Sequence, residues 1–103
     1  MLLREKYKEM LQQIFVTAPL PIEVWAYGSR VNGTAHAGSD LDLVIRSEDL
    51  APLPIDLFMK LREQIQDSNI PILVELHDWA RLPERFHQNI EKQYEVFYNN
   101  QTP

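Results

Sequence analysis

Asp40 and Asp42 stand two residues apart in Asp40-Leu41-Asp42-Leu43-Val44-Ile45, an alternating, β-branched run that predicts a strand. Residues two apart on a strand point the same way. The two carboxylates therefore share one side, and Leu41, Leu43 and Ile45 share the other. Like charges at that separation repel, and a hard divalent cation relieves them, since Mg²⁺ takes oxygen ligands and often uses one or two carboxylates plus substrate phosphates. A solvated acidic face beside a loop would show the same Asp-x-Asp spacing. Upstream, Gly28-Ser29 directly follows the predicted strand Glu23-Val24-Trp25-Ala26-Tyr27 and opens a short helix to about Asn32. The N–H groups of a helix start favour an anion, and glycine lets the backbone approach a phosphate closely. An ordinary Gly-Ser turn would look alike, and no Walker-type G-x-x-x-x-G-K-[ST] occurs. The combination says more than either part: a phosphate-cradling turn, ten residues, then two carboxylates on the next strand.

The elements that must position these groups are legible as periodicities. Leu3, Tyr7, Met10, Leu11 and Ile14 make the stripe of an amphipathic helix over residues 2–16, which Pro19 and Pro21 end. Gly33 suits the C-terminal turn of the short helix. Ile55, Phe58, Leu61, Arg62 and Ile65 mark another helix, ending near Asp67-Ser68-Asn69, and Ile72-Leu73-Val74-Glu75-Leu76-His77 is a third strand. Leu82-Pro83 opens a last helix whose apolar face is Phe86, Ile90 and Tyr94. Val96-Phe97-Tyr98 suits the end of that helix or a short edge strand. Trp25, Trp79 and Phe86 read as core residues. The order αβαβαβα predicts an α/β (α+β) fold, a small mixed sheet of about three strands with helices mainly on one face. A single domain is expected over residues 1–98, with a flexible polar tail over 99–103.

Composition bounds what such a domain can do. The 103 residues include no cysteine, which excludes a disulfide scaffold, a thiolate zinc site and a Cys nucleophile. Ten Lys+Arg against fifteen Asp+Glu give a net charge of −5, which argues against a protein that grips a nucleic-acid backbone. No apolar run approaches the ~20 residues of a membrane span. The charged start Met1-Leu2-Leu3-Arg4-Glu5-Lys6 does not suit a signal peptide, so a cytoplasmic protein is expected. His36, His77 and His87 show no ligand-like spacing and read as structural or exposed, and no Ser-His-Asp arrangement carries an elbow motif.

Gly28-Ser29-Arg30-Val31-Asn32-Gly33-Thr34-Ala35 followed by Ser39-Asp40-Leu41-Asp42-Leu43 resembles the signature of the minimal nucleotidyltransferases, the smallest members of the DNA polymerase β-like superfamily. The resemblance continues through Val74-Glu75-Leu76-His77-Asp78-Trp79. It implies that Gly28 and Ser29 bind the nucleoside triphosphate. Asp40 and Asp42 would hold two Mg²⁺ ions, ~3.5–4 Å apart, that bracket an in-line displacement. Glu75 matches the position of the family's third carboxylate, usually Asp, and would complete the catalytic and metal-binding set. It lies on the same predicted face as Leu73 and His77, whereas Asp78 has the opposite parity. Arg30 and Ser39 are further candidates for the phosphates. Arg30 would equally suit a solvated helix surface, and Ser39 a cap on the turn before the strand.

The function this implies is transfer of AMP from ATP to an acceptor hydroxyl with release of pyrophosphate. Once sheet and helices are assigned, little chain is left for an acceptor domain, so the acceptor is expected to come with a partner. Relatives of this kind pair with a small helical HEPN protein, the toxin to their antitoxin, and the resemblance implies a tyrosine of that toxin as acceptor. Two other readings share the signature: an antitoxin that binds without catalysis, and a small-molecule transferase of the aminoglycoside-modifying type, which normally has an additional acceptor domain.

Overall fold

The computed structural model describes residues 1–36 and 38–101. The chain runs α1 (Glu5–Val16), β1 (Ile22–Tyr27), α2 (Ser29–Asn32), β2 (Leu41–Ser47), α3 (Ile55–Gln66), β3 (Val74–Asp78), a 3₁₀ turn (Trp79–Arg81), α4 (Glu84–Lys92) and β4 (Tyr94–Asn99). The sheet has four strands in the order β3-β2-β1-β4, one more than the periodicity predicts. β1 pairs antiparallel with β2 and with β4. β2 and β3 are parallel, as a connection long enough to carry α3 permits.

The fourth strand takes the edge-strand alternative for Val96-Phe97-Tyr98 and corrects the assignment of Tyr94. Tyr94 does not continue the apolar face of α4: the helix ends at Lys92, Gln93 turns extended (φ −158°, ψ 110°), and Tyr94 pairs with Tyr27 across the sheet. Asn99 is the last residue of β4, and Asn100 beyond it accepts a 2.7 Å hydrogen bond at Oδ1 from the Ile22 N–H. Of the tail expected at 99–103, residues 102 and 103 lie outside the described residues.

Each face of the sheet buries its own apolar cluster. Leu11 and Phe15 of α1 and Phe58, Leu61 and Ile65 of α3 pack with Val24, Ala26, Leu41, Leu43, Ile45, Leu76 and Phe97. Phe15, outside the stripe read from the sequence, is fully buried and meets the Phe97 ring edge-on at 6.3 Å. The second face is covered by the 3₁₀ turn and α4, where Trp25, Val44, Trp79 and Ile90 form a smaller cluster. Phe86 is not part of it and is exposed. Rings hold this layer in place. Tyr94 stacks on Trp25 at 3.7 Å, the Arg46 guanidinium lies 3.9 Å over Trp25 and 4.6 Å from Trp79, and His87 stacks on Trp79 at 4.0 Å. Such contacts stabilise beyond their buried area, and here they fix α4 above the end of β1. Among the described residues, no helix is long and apolar enough to cross a membrane.

Candidate active site

The register sets one row of side chains across the sheet. Glu75 pairs with Asp42, Asp42 with Tyr27 and Tyr27 with Tyr94. Laterally paired residues face the same side of a sheet, which here is the side that carries Trp25 and Val44. Asp40 sits just before β2 and is exposed. Asp42 is half-buried, and its carboxyl is raised above the ordinary aspartate range, first by burial and then by the charges of Glu75 and Asp40. His77 opposes that rise. The Tyr27 phenol is pushed up to about 12, mainly by burial and further by Asp42 and Glu75, so it stays protonated at neutral pH. The His77 ring reaches towards Glu75, with Nε2 4.0 Å from Oε2.

Gly28 brings the backbone against this row. It has φ 82° and ψ −157°, a conformation essentially restricted to glycine, and a Cβ placed there would collide with the Asp42 carboxylate. The Gly28 carbonyl accepts 3.0 Å hydrogen bonds from the N–H groups of Val31 and Asn32, which closes the α2 turn with Ser29 as its first residue. Gly33 ends α2 in the left-handed region (φ 85°, ψ 5°). The turn and the carboxylates thus form one continuous surface.

The remaining candidates have different surroundings. Arg30, a candidate phosphate contact, is buried. Its Nε and Nη2 donate to the Ser39 carbonyl at 3.0 and 2.8 Å, and Nη1 donates to the Leu2 carbonyl. In that position it braces the segment that leads into β2. Ser39 accepts a 3.0 Å hydrogen bond at Oγ from the His36 N–H, so its hydroxyl caps the turn before the strand. Asp78 pairs with Ile45 on the opposite face from Glu75 and is buried. Its carboxylate accepts from the Leu53 N–H at 2.9 Å and the Ala80 N–H at 3.2 Å, and pairs with Arg81 at 2.8 Å. Asp78 therefore ties the β2–α3 loop to the 3₁₀ turn. Replacing it with alanine leaves buried donors unmet and is expected to cost about 2–4 kcal/mol in urea unfolding; a loss below about 1 kcal/mol would contradict this role.

Two hollows meet this row, one at Glu75 and one at Tyr27. One, of about 410 Å³, runs between α3 and the exposed edge of β3 and is bordered by Glu75 and His77. The other, of about 300 Å³, opens beside Tyr27 and Gly28, with α4 as its far wall. Neither Tyr27 nor the α4 residues of this cleft stand out in the sequence, because their place depends on the pairing of β1 with β4.

Among the described residues, no group of three or more His, Asp or Glu side chains is gathered as a ready cation site. The donor set nonetheless fits a hard divalent ion. Asp40, Asp42 and Glu75 are close enough for two of these charges to raise the third, their ligand atoms are all carboxylate oxygens, and a cation would relieve their repulsion.

The structure is an α+β domain whose mixed sheet sets a Gly-Ser turn against Asp42, in register with Glu75 on the adjacent strand. The chain belongs to the polymerase β nucleotidyltransferase family, whose model, described as "Polymerase beta, Nucleotidyltransferase", matches residues 9–103. A stretch of 75 residues is 45% identical to the "Probable protein adenylyltransferase MntA" of Haemophilus influenzae, covering 71% of this chain and 62% of that protein. The chain thus spans less than two thirds of that relative's length. The fold is similar to that in a crystal structure of a toxin–antitoxin with AMP-PNP, with TM-score 0.67 and 20% identity over 95% of this chain and 76% of that chain. It is also similar to that in a mutant of the toxin–antitoxin MntA-HpeT, with TM-score 0.69 and 19% identity over 96% and 76%. At these identities the likeness is one of fold.

Proposed function

We propose that this protein is a Mg²⁺-dependent nucleotidyltransferase that moves AMP from ATP to an acceptor hydroxyl, a tyrosine on a helical HEPN-type toxin, and so acts as the antitoxin of a cytoplasmic pair. The observation that carries the reading is the packing of Gly28 against Asp42, which is itself in register with Glu75. This gives one surface that can receive a phosphate chain and deprotonate a hydroxyl. The name of the Haemophilus influenzae relative and the toxin–antitoxin assemblies that share the fold support the transfer and the partner.

In this reading Gly28 and Ser29 seat the triphosphate. Asp40, Asp42 and Glu75 are the residues that would hold two magnesium ions, which when bound neutralise phosphate charge and acidify the acceptor hydroxyl. The acceptor approaches along the open β3 edge, past Glu75 and His77. Its oxygen attacks the α-phosphorus and its proton passes to Glu75. The bond from the α-phosphorus to the bridging oxygen breaks, and pyrophosphate leaves with the electron pair. Holding the phenol beside the α-phosphate can supply much of the ~7–11 kcal/mol available from orientation, which is why the partner and not free tyrosine is the acceptor.

Mass spectrometry of the co-expressed toxin tests this directly: added AMP on a tyrosine is expected with the wild-type chain and absent with Asp42→Asn. Binding gives a second check. Mg²⁺ and ATP together should stabilise the chain more than the sum of either alone. At about 100 times the dissociation constant the gain is ~2.7 kcal/mol, roughly 10–20 °C for a domain of this size. Absence of any joint shift, with the toxin still neutralised, would favour an antitoxin that binds without catalysis.

A further inference from the structure

We propose that Lys92 binds the terminal phosphates of the nucleoside triphosphate, which cross Gly28 from the carboxylates into the cleft beneath α4. This rests on the nucleotide reading above and adds where the leaving end of the nucleotide goes. Gly28 carries the placement, because it touches both regions. It abuts the Asp42 carboxylate on one side and lines the cleft of about 300 Å³ on the other. A phosphate chain whose α-phosphate lies at Asp42 and whose next phosphates meet the turn at Gly28 and Ser29 therefore continues into that cleft.

Charge decides which residue meets it there. The chain carries a net −5, and the candidate site contributes three further negative neighbours to the phosphates: Asp40, Asp42 and Glu75. Among the described residues that line the cleft, Lys92 is the one cation, and Asn32, Asn89 and Gln93 supply neutral amides around it. Lys92 is exposed in the last turn of α4, and among the described residues no ion pair or hydrogen bond engages its ammonium. An ammonium at a helix C-terminus also interacts favourably with the helix dipole. That role would affect stability alike for every ligand. A phosphate role discriminates: when the bond between the α-phosphorus and the bridging oxygen breaks, the electron pair stays on pyrophosphate, and a lysine in the cleft meets that charge.

Calorimetric titration with Mg²⁺ present, using ATP, AMP and inorganic pyrophosphate as separate probes, tests the assignment on the whole chain. Lys92→Met is expected to weaken ATP and pyrophosphate roughly 10- to 100-fold, as loss of a charged hydrogen bond does, and to leave AMP within about twofold. Lys92→Arg should restore most of the loss while the melting temperature of both variants stays near wild type. Wild-type affinity for ATP and pyrophosphate in the Lys92→Met variant would overturn the assignment and leave the nucleotide reading standing. So would an equal loss for all three probes. Failure of the wild-type chain to bind ATP would overturn both.

Discussion

Asp42→Asn is expected to reduce AMP transfer by about 10⁴–10⁶-fold, the scale on which removing one member of a cooperating catalytic set acts, without lowering the melting temperature. The second half of that expectation separates a site from a scaffold. The ionised Asp42 carboxylate is disfavoured in the fold by burial and by Glu75 and Asp40. A carboxyl whose value is raised on folding contributes stability that is fully present below its unfolded value and is lost as pH rises through its folded value. Above its folded value the ionised wild-type carboxylate has lost that contribution, and an isosteric amide does not suffer the loss. The variant should be as stable as wild type or more so at pH 7. Its advantage should shrink on acidification, through the window between Asp42's raised value and the ordinary aspartate value of 3.8. Urea unfolding across that window, beside a transfer assay, checks both parts. An inactive variant that is also clearly destabilised at pH 7 would place Asp42 among the structural carboxylates with Asp78.

The contrast between Asp42 and Asp78 marks how far a sequence can be read. Strand parity separates Glu75 from Asp78 within β3 and Asp42 from Leu41 and Leu43 within β2, because the two-residue period of a strand is local, whereas the β2–β3 register is what sets Asp42 beside Glu75. What Asp78 does is not local. Its hydrogen-bond donor Leu53 lies 25 residues away, and only the β2–β3 crossover brings the two together. Arg30 is hidden for the same reason, since its partners include the backbone carbonyls of Leu2 and Ser39, and carbonyls leave no trace in residue type. The start of the fourth strand was masked by coincidence of spacing. Phe86, Ile90 and Tyr94 are four apart and mimic one helical stripe, while the true break at Gln93 carries neither Gly nor Pro. The pairing of β4 with β1 is what brings the preceding helix α4 back over the end of β1, where it walls the cleft beside Gly28. Motif residues were legible because chemistry restricts their type; the residues that build the space around them were not, because many types can do so.

Gly28→Ala is expected to damage both stability and transfer, and Gly33→Ala provides its control. Both glycines have positive φ, at 82° and 85°, so a simple count of strained positions would rank them alike. Their surroundings differ. Gly33 has ψ near 5° and nothing within 4 Å of an added Cβ, so alanine there bears only the left-handed penalty, about 1–2 kcal/mol. Gly28 has ψ −157°, in a region that side chains scarcely enter, at a cost of about 1–3 kcal/mol. Its added methyl must also displace the Asp42 carboxylate. That carboxylate is the outer end of a half-buried side chain, so it gives way by rotating out of the row between Tyr27 and Glu75, or the turn shifts away from it. Either movement separates the proposed phosphate seat from the proposed catalytic carboxylate. Gly28→Ala should therefore lose about 2–4 kcal/mol in urea unfolding, and the protein that remains folded should lose transfer by at least about 100-fold, the scale of a misplacement of 1 Å. Gly33→Ala, assayed at a temperature where it is fully folded, should keep wild-type transfer. Equal activity in the two variants would mean that the close approach at Gly28 serves only the turn and not the reaction.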